Sequence, residues 1–177
     1  MSDDVRFARE IDATPEKVFG TFTQPDGQEA LYGKDDPGWI VESACDLRVG
    51  GVWTVTFGPS RSELYRHEHL FRVIDRPHRL LLDTIETRLD GSSLEFETEF
   101  TFEEHDGKTL MTMIQRGLPT PELREEHVRG VPNAFARLEA LIQLSRTDRR
   151  STRRGAVTTK ESDGYRLGGS AAAGSDG

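Results

Sequence analysis

The sequence predicts an α+β domain in which a curved antiparallel sheet of six to seven strands wraps around one long C-terminal helix, with one or two short helices after the first strand. Three observations carry this. Between Trp39 and Gln115, short β-type runs are separated by glycine-containing turns. Within them Leu94, Phe96, Thr98, Phe100 and Phe102 alternate with Glu95, Glu97, Glu99, Thr101 and Glu103, the period of a strand with one buried face. Beyond them the period lengthens: Val128, Val131, Phe135, Leu138 and Ile142 recur every three or four residues, as on an amphipathic helix.

The elements follow in order. Val5 to Ile11 forms a strand with Val5, Phe7 and Ile11 in one phase. Thr14 caps a helix that has Pro15 at its first position and an apolar stripe of Val18, Phe19 and Phe22. Pro25-Asp-Gly27 ends it, and a second short helix spans about Gln28 to Tyr32. Strands then run from Trp39 to Asp46, Val52 to Phe57, Glu63 to Ile74, Arg79 to Arg88, Leu94 to Phe102 and Thr109 to Gln115. The turns between them include Gly50-Gly51, Gly58-Pro-Ser60, Asp90-Gly91 and Asp106-Gly107, and Asp-Gly is a strong hairpin signal. In the last helix Pro132 lacks an N–H and predicts a kink or a restart.

Charge and composition narrow the function. Of 177 residues, 34% are hydrophobic and 31% charged, with a net charge of −8, so a general nucleic-acid surface is not expected. From Ser145 onward the charge is +3, which leaves −11 on the body. The apolar period also stops there, so residues 146–177 are expected to form a disordered, basic, Gly/Ser/Ala-rich tail behind a domain of residues 1–145. Cys45 alone cannot build a disulfide framework, and the start of the chain lacks the basic and apolar regions of a signal peptide. A cytoplasmic protein is expected. No stretch approaches the roughly 18 apolar residues of a membrane span.

Four segments carry a resemblance: Ile11-Asp-Ala-Thr-Pro-Glu-Lys-Val-Phe19, Asp46-Leu-Arg-Val-Gly-Gly-Val-Trp53, Val73-Ile-Asp-Arg-Pro-His-Arg-Leu80 and His127-Val-Arg-Gly-Val-Pro-Asn-Ala-Phe-Ala-Arg-Leu138. In this order they resemble the SRPBCC (START-like, helix-grip) superfamily, and within it the branch named for the activator of heat-shock protein ATPase homologues. The similarity spans about Val5 to Leu144. The branch commonly has Trp where this chain has Val131, which implies a roomier or differently shaped pocket. The resemblance implies a cavity between sheet and helix that holds a hydrophobic small molecule. It also admits a polyketide cyclase/dehydratase-like enzyme, or a chaperone ATPase activator-like module acting on a protein partner through its acidic surface. A homodimer remains open, and no cofactor is expected.

The ligand-binding candidates are the apolar residues of the inner face and last helix: Trp39, Trp53, Val55, Phe57, Phe71, Phe96, Phe100, Met111, Met113, Val131, Phe135 and Leu138. Each also fits a solid core. His67 and His69 share one face of a strand with Glu63, while Glu68 points away. His-x-His binds zinc when a third ligand is near. No Cys or further His is spaced to help, so no metal site is expected. In a pocket the same histidines orient a ligand or act as acid and base. Gln115 keeps the phase of Met111 and Met113 and places an amide on the same face, so His67, His69 and Gln115 are the catalytic candidates if a reaction occurs. The glutamate stripe on the outer face reads as solvated.

Overall fold

The computed structural model describes residues 4–158. The elements are β1 (Val5–Ile11), α1 (Pro15–Phe22), α2 (Pro25–Leu31), β2 (Ile40–Cys45), β3 (Val52–Ser60), β4 (Glu63–Asp75), β5 (Arg79–Thr87), β6 (Ser93–His105), β7 (Lys108–Arg116) and α3 (Pro121–Thr158). All strands lie in one curled antiparallel sheet of seven, in the order β1-β7-β6-β5-β4-β3-β2. Strands β2 to β7 form a meander, and β1 adds beside β7 with Phe7 opposite Met113. The chain up to Leu144 is one compact unit, and residues from Ser145 belong to a second.

Local chemistry explains most element ends. The Thr14 hydroxyl accepts the Lys17 N–H at the start of α1. The β6–β7 hairpin turns on Asp106 and Gly107, both with positive φ, as a tight two-residue turn requires. At the start of α3 the Thr120 hydroxyl accepts the Leu123 N–H and Pro121 occupies the first turn.

Beyond small shifts at strand ends, such as β6 running on to His105, four boundaries that differ from the sequence expectation have an identifiable cause. Pro25-Asp-Gly27 does not end the helical region; Pro25 opens α2, where a proline at the first position loses no internal hydrogen bond. A Cβ at Gly27 would lie 1.8 Å from the Thr21 carbonyl oxygen, so the close approach there requires glycine. Strand β3 runs through Gly58 to Ser60, with a register shift after Phe57 that absorbs the expected turn. Helix α3 does not restart at Pro132. The missing N–H frees the carbonyl of Val128, an exposed residue where water can reach it. Finally, α3 continues past Ser145 to Thr158, through a stretch rich in arginine, a good helix former. The rest of the expected tail, 159–177, lies outside the described residues.

The core fills the concave side of the sheet. Phe22, Phe71, Leu80, Leu82, Phe102 and Met111 are at most 2% exposed. Phe135, Leu138 and Ile142 bring the middle of α3 onto them, and the Phe135 ring meets Phe7 edge-on at 5.1 Å. Leu94–Phe102 behaves as its pattern predicts: Phe96, Thr98, Phe100 and Phe102 are buried, while Glu97 and Glu99 on the other face pair with Arg116 and Arg79.

Candidate functional site

One turn N-terminal to Phe135, α3 no longer fills the space beneath it. A pocket of about 470 Å³ opens there, between α3, the segment after α2, and strands β3 to β7. Its apolar walls include Trp39, Trp53, Phe57, Phe100, Met113, Val131 and Phe135, all of them sequence candidates, together with Leu31 and Ala134, which are not. Val131 stands where a larger ring would occupy this volume. The other candidates, Val55, Phe71, Phe96, Met111 and Leu138, do not line the pocket and belong to the buried interior around it.

His67, His69 and Gln115 all face this pocket. They belong to a continuous polar floor that also contains Tyr32, Thr84, Glu86, Thr98 and His127. The Tyr32 hydroxyl lies 2.9 Å from His67 Nδ1 and 2.9 Å from His69 Nε2. His69 Nδ1 lies 2.9 Å from Thr84 Oγ1, which lies 3.2 Å from Thr98 Oγ1. At the other end His67 Nε2 lies 3.0 Å from Glu86 Oε2. The second glutamate oxygen accepts from Arg88 at 2.9 Å. His127, from α3, places Nε2 3.4 Å from Glu86 Oε2 and Nδ1 3.0 Å from Gln115 Oε1.

Proton positions follow from the partners. Burial pushes the Glu86 carboxyl up, but the hydrogen bonds and charges of His127 and His67 outweigh it and hold the group well below the usual carboxylate range. Glu86 is therefore an anion and only accepts, so His67 Nε2 donates. In the state in which Nδ1 is unprotonated, His67 accepts there and Tyr32 donates to it; the charge that His67 exerts on its neighbours arises only when both of its nitrogens are protonated. The Tyr32 oxygen accepts from His69 Nε2, which leaves His69 Nδ1 to accept from Thr84 and Thr84 to accept from Thr98. The hydrogen bonds thus point one way, from Thr98 to Glu86. Burial, with the charge of His67 second, keeps the His69 imidazole well below its ordinary pKa, consistent with its neutral place in this chain. Burial, reinforced by the Glu86 charge, pushes the Tyr32 phenol up, so it stays protonated.

Sequence reading missed Tyr32, Glu86 and His127. Two of them carried a signal. Glu86 follows Leu80, Leu82 and Thr84 in the buried phase of β5, where a carboxylate has to find partners. His127 precedes Val131 and Phe135 by one and two helical turns on the same stripe. Tyr32 follows α2 in a turn without period. Glu63, in phase with the histidines, is exposed and does not join them. Among the described residues, no three or more His, Cys, Asp or Glu are grouped to hold a metal. No described helix is long and apolar enough to cross a membrane.

A curled antiparallel sheet closed by a C-terminal helix over a lined pocket defines a helix-grip domain of the SRPBCC type. The chain belongs to the family described as Activator of Hsp90 ATPase homolog 1-like protein, whose model matches residues 12–143. Solved structures share the fold at low identity. A protein from Chromobacterium violaceum is 20% identical with a TM-score of 0.69, covering 80% of this chain and 98% of its own. An AHSA1 protein from Silicibacter pomeroyi is 19% identical with a TM-score of 0.67, covering 80% and 99%. A Mycobacterium smegmatis protein is 21% identical with a TM-score of 0.66, covering 78% and 89%. A comparison with curated proteins returned no match.

Proposed function

We propose that the pocket binds a hydrophobic small molecule, so that the domain works as a ligand-binding module. One observation carries this reading: apolar side chains surround about 470 Å³ of space above a polar floor that makes most of its hydrogen bonds within itself. Ligand pockets have this size and this mix of apolar wall and few polar groups. A chain that only needed a solid core gains nothing from small Val131 at that position. Native mass spectrometry of the purified protein tests the reading. A co-purified small molecule released by denaturation is expected, as is uptake of an added apolar probe at one equivalent. Bare protein that takes up no probe contradicts it.

The one-way chain of hydrogen bonds supports a second reading, proton transfer on a bound carbonyl compound, as a cyclase or dehydratase would need. Exchange of the hydrogens next to the ketone of a bound naphthyl ketone, followed by NMR in D2O, tests it. Catalysed exchange that is lost in Tyr32→Phe is the expected outcome. Exchange at the uncatalysed rate rules it out.

A further inference from the structure

The polar groups of the pocket differ in whether they are already satisfied, and that difference selects a ligand class. The charges are satisfied. Among the residues lining the pocket, Asp36 pairs with Arg137, and Glu86 and Glu126 both pair with Arg88, which adjoins them. A ligand carboxylate or sulfonate would therefore enter without a free cation to meet it, beside a buried Glu86 anion. A ligand ammonium would find each of these carboxylates already engaged. Placing an unpaired charge there is costly.

One buried donor is not satisfied. Trp39 Nε1 is fully buried and has no hydrogen-bond partner among the described residues, although the ring lines the pocket. The contrast with the other tryptophan is direct, since Trp53 Nε1 donates to Ser43 Oγ at 3.0 Å. An unmet buried N–H costs about 1–3 kcal/mol, so an acceptor brought by a ligand recovers that energy. Gln115 uses its Oε1 for His127, which leaves its amide NH2 as a second donor on the same lining. The acceptors of the floor are engaged in the chain from Thr98 to Glu86.

We infer that the pocket selects an uncharged, largely apolar molecule carrying a carbonyl-type oxygen, which accepts from the Trp39 indole N–H with the Gln115 amide as the second donor. This rests on the ligand-binding reading above and adds the chemistry of the ligand's polar end.

Three probes with one ring system test it: 6-propionyl-2-dimethylaminonaphthalene (a neutral ketone), 2-dimethylaminonaphthalene (no acceptor oxygen) and 6-dimethylaminonaphthalene-2-sulfonate (an anion). Each is titrated by fluorescence into the full chain and into Trp39→Phe, with thermal melts to check folding. The ketone is expected to bind at least fivefold more tightly than the parent and at least tenfold more tightly than the sulfonate. Trp39→Phe should remove most of the ketone's advantage over the parent. If the variant does not fold, the wild-type series decides alone. Equal affinities for all three, or a preference for the sulfonate, overturn the inference and leave the binding reading standing. An unchanged ketone-to-parent ratio in a folded Trp39→Phe also overturns it. If none of the three binds, the binding reading itself falls and the inference with it.

Discussion

The hydroxyl of Tyr32 stands 2.9 Å from His69 Nε2 and bridges it to His67, joining the turn after α2 to the middle of β4. No other hydroxyl does this in the floor of the pocket. Tyr32→Phe keeps the ring, which packs against Trp53 and Phe57, but strips both imidazoles of a partner. A loss of about 1–3 kcal/mol is expected in urea unfolding, with the denaturant slope unchanged. An unchanged midpoint would mean that water replaces the hydroxyl at no cost.

Acid should weaken the fold in two stages. Burial depresses the His69 pKa, so below the ordinary histidine range the unfolded chain binds a proton there that the folded chain refuses. Stability is complete at neutral pH and falls as pH drops below about 6.5, by at most about 1.4 kcal/mol per pH unit from this group. Glu86 has the same sign lower down. Its folded pKa is depressed, so its contribution is complete above about pH 4.5 and is lost as pH falls further. Denaturant unfolding at a series of pH values checks both stages; stability that rises on going from pH 7 to pH 5 would contradict the assignment of His69.

Glu86 gathers His67, His127 and Arg88, and its side chain is 6% exposed. Glu86→Gln removes the charge these groups surround and should cost about 3 kcal/mol. Arg88→Met should cost less in the Glu86→Gln background than alone, because the two act on one ion pair. A double-mutant cycle by chemical denaturation reads the coupling; strict additivity would show that the pair contributes nothing.

Phe135 is 1% exposed and belongs to both the core and the pocket wall. Phe135→Ala should destabilise by about 3–5 kcal/mol, toward the lower end if the pocket collapses into the new space. Calorimetric melts give the loss, and a change under 1 kcal/mol would mean that α3 is not anchored there.

The fold was legible where one face is buried along a whole element. Phe96 to Phe102 on β6 and Val131 to Ile142 on α3 show it, since burial on one side imposes a period that survives in the sequence. Pro25-Asp-Gly27 was misleading because proline and glycine have two meanings. Only the approach of Gly27 to the Thr21 carbonyl, a contact between helices, says that this pair opens a helix. The site was half legible for the same reason. His67 and His69 announce a shared face, as does Gln115 beside Met113. The groups that give them direction, Tyr32, Glu86 and His127, come from three distant stretches that only the closed fold brings together. Val55 and Phe71 look like pocket residues from their phase, yet whether an inward ring meets helix or empty space depends on where α3 lifts away.

The central claim is that the space beneath α3 holds a ligand. Val131→Trp would place a large ring in that space while leaving every group of the polar floor in the sequence. Fluorescence titration of 6-propionyl-2-dimethylaminonaphthalene into the wild type and this variant is the most direct measurement. The account predicts saturable one-site binding to the wild type and at least a tenfold loss in a variant that melts within a few degrees of it. Equal binding by a folded Val131→Trp would place the probe elsewhere and contradict the account.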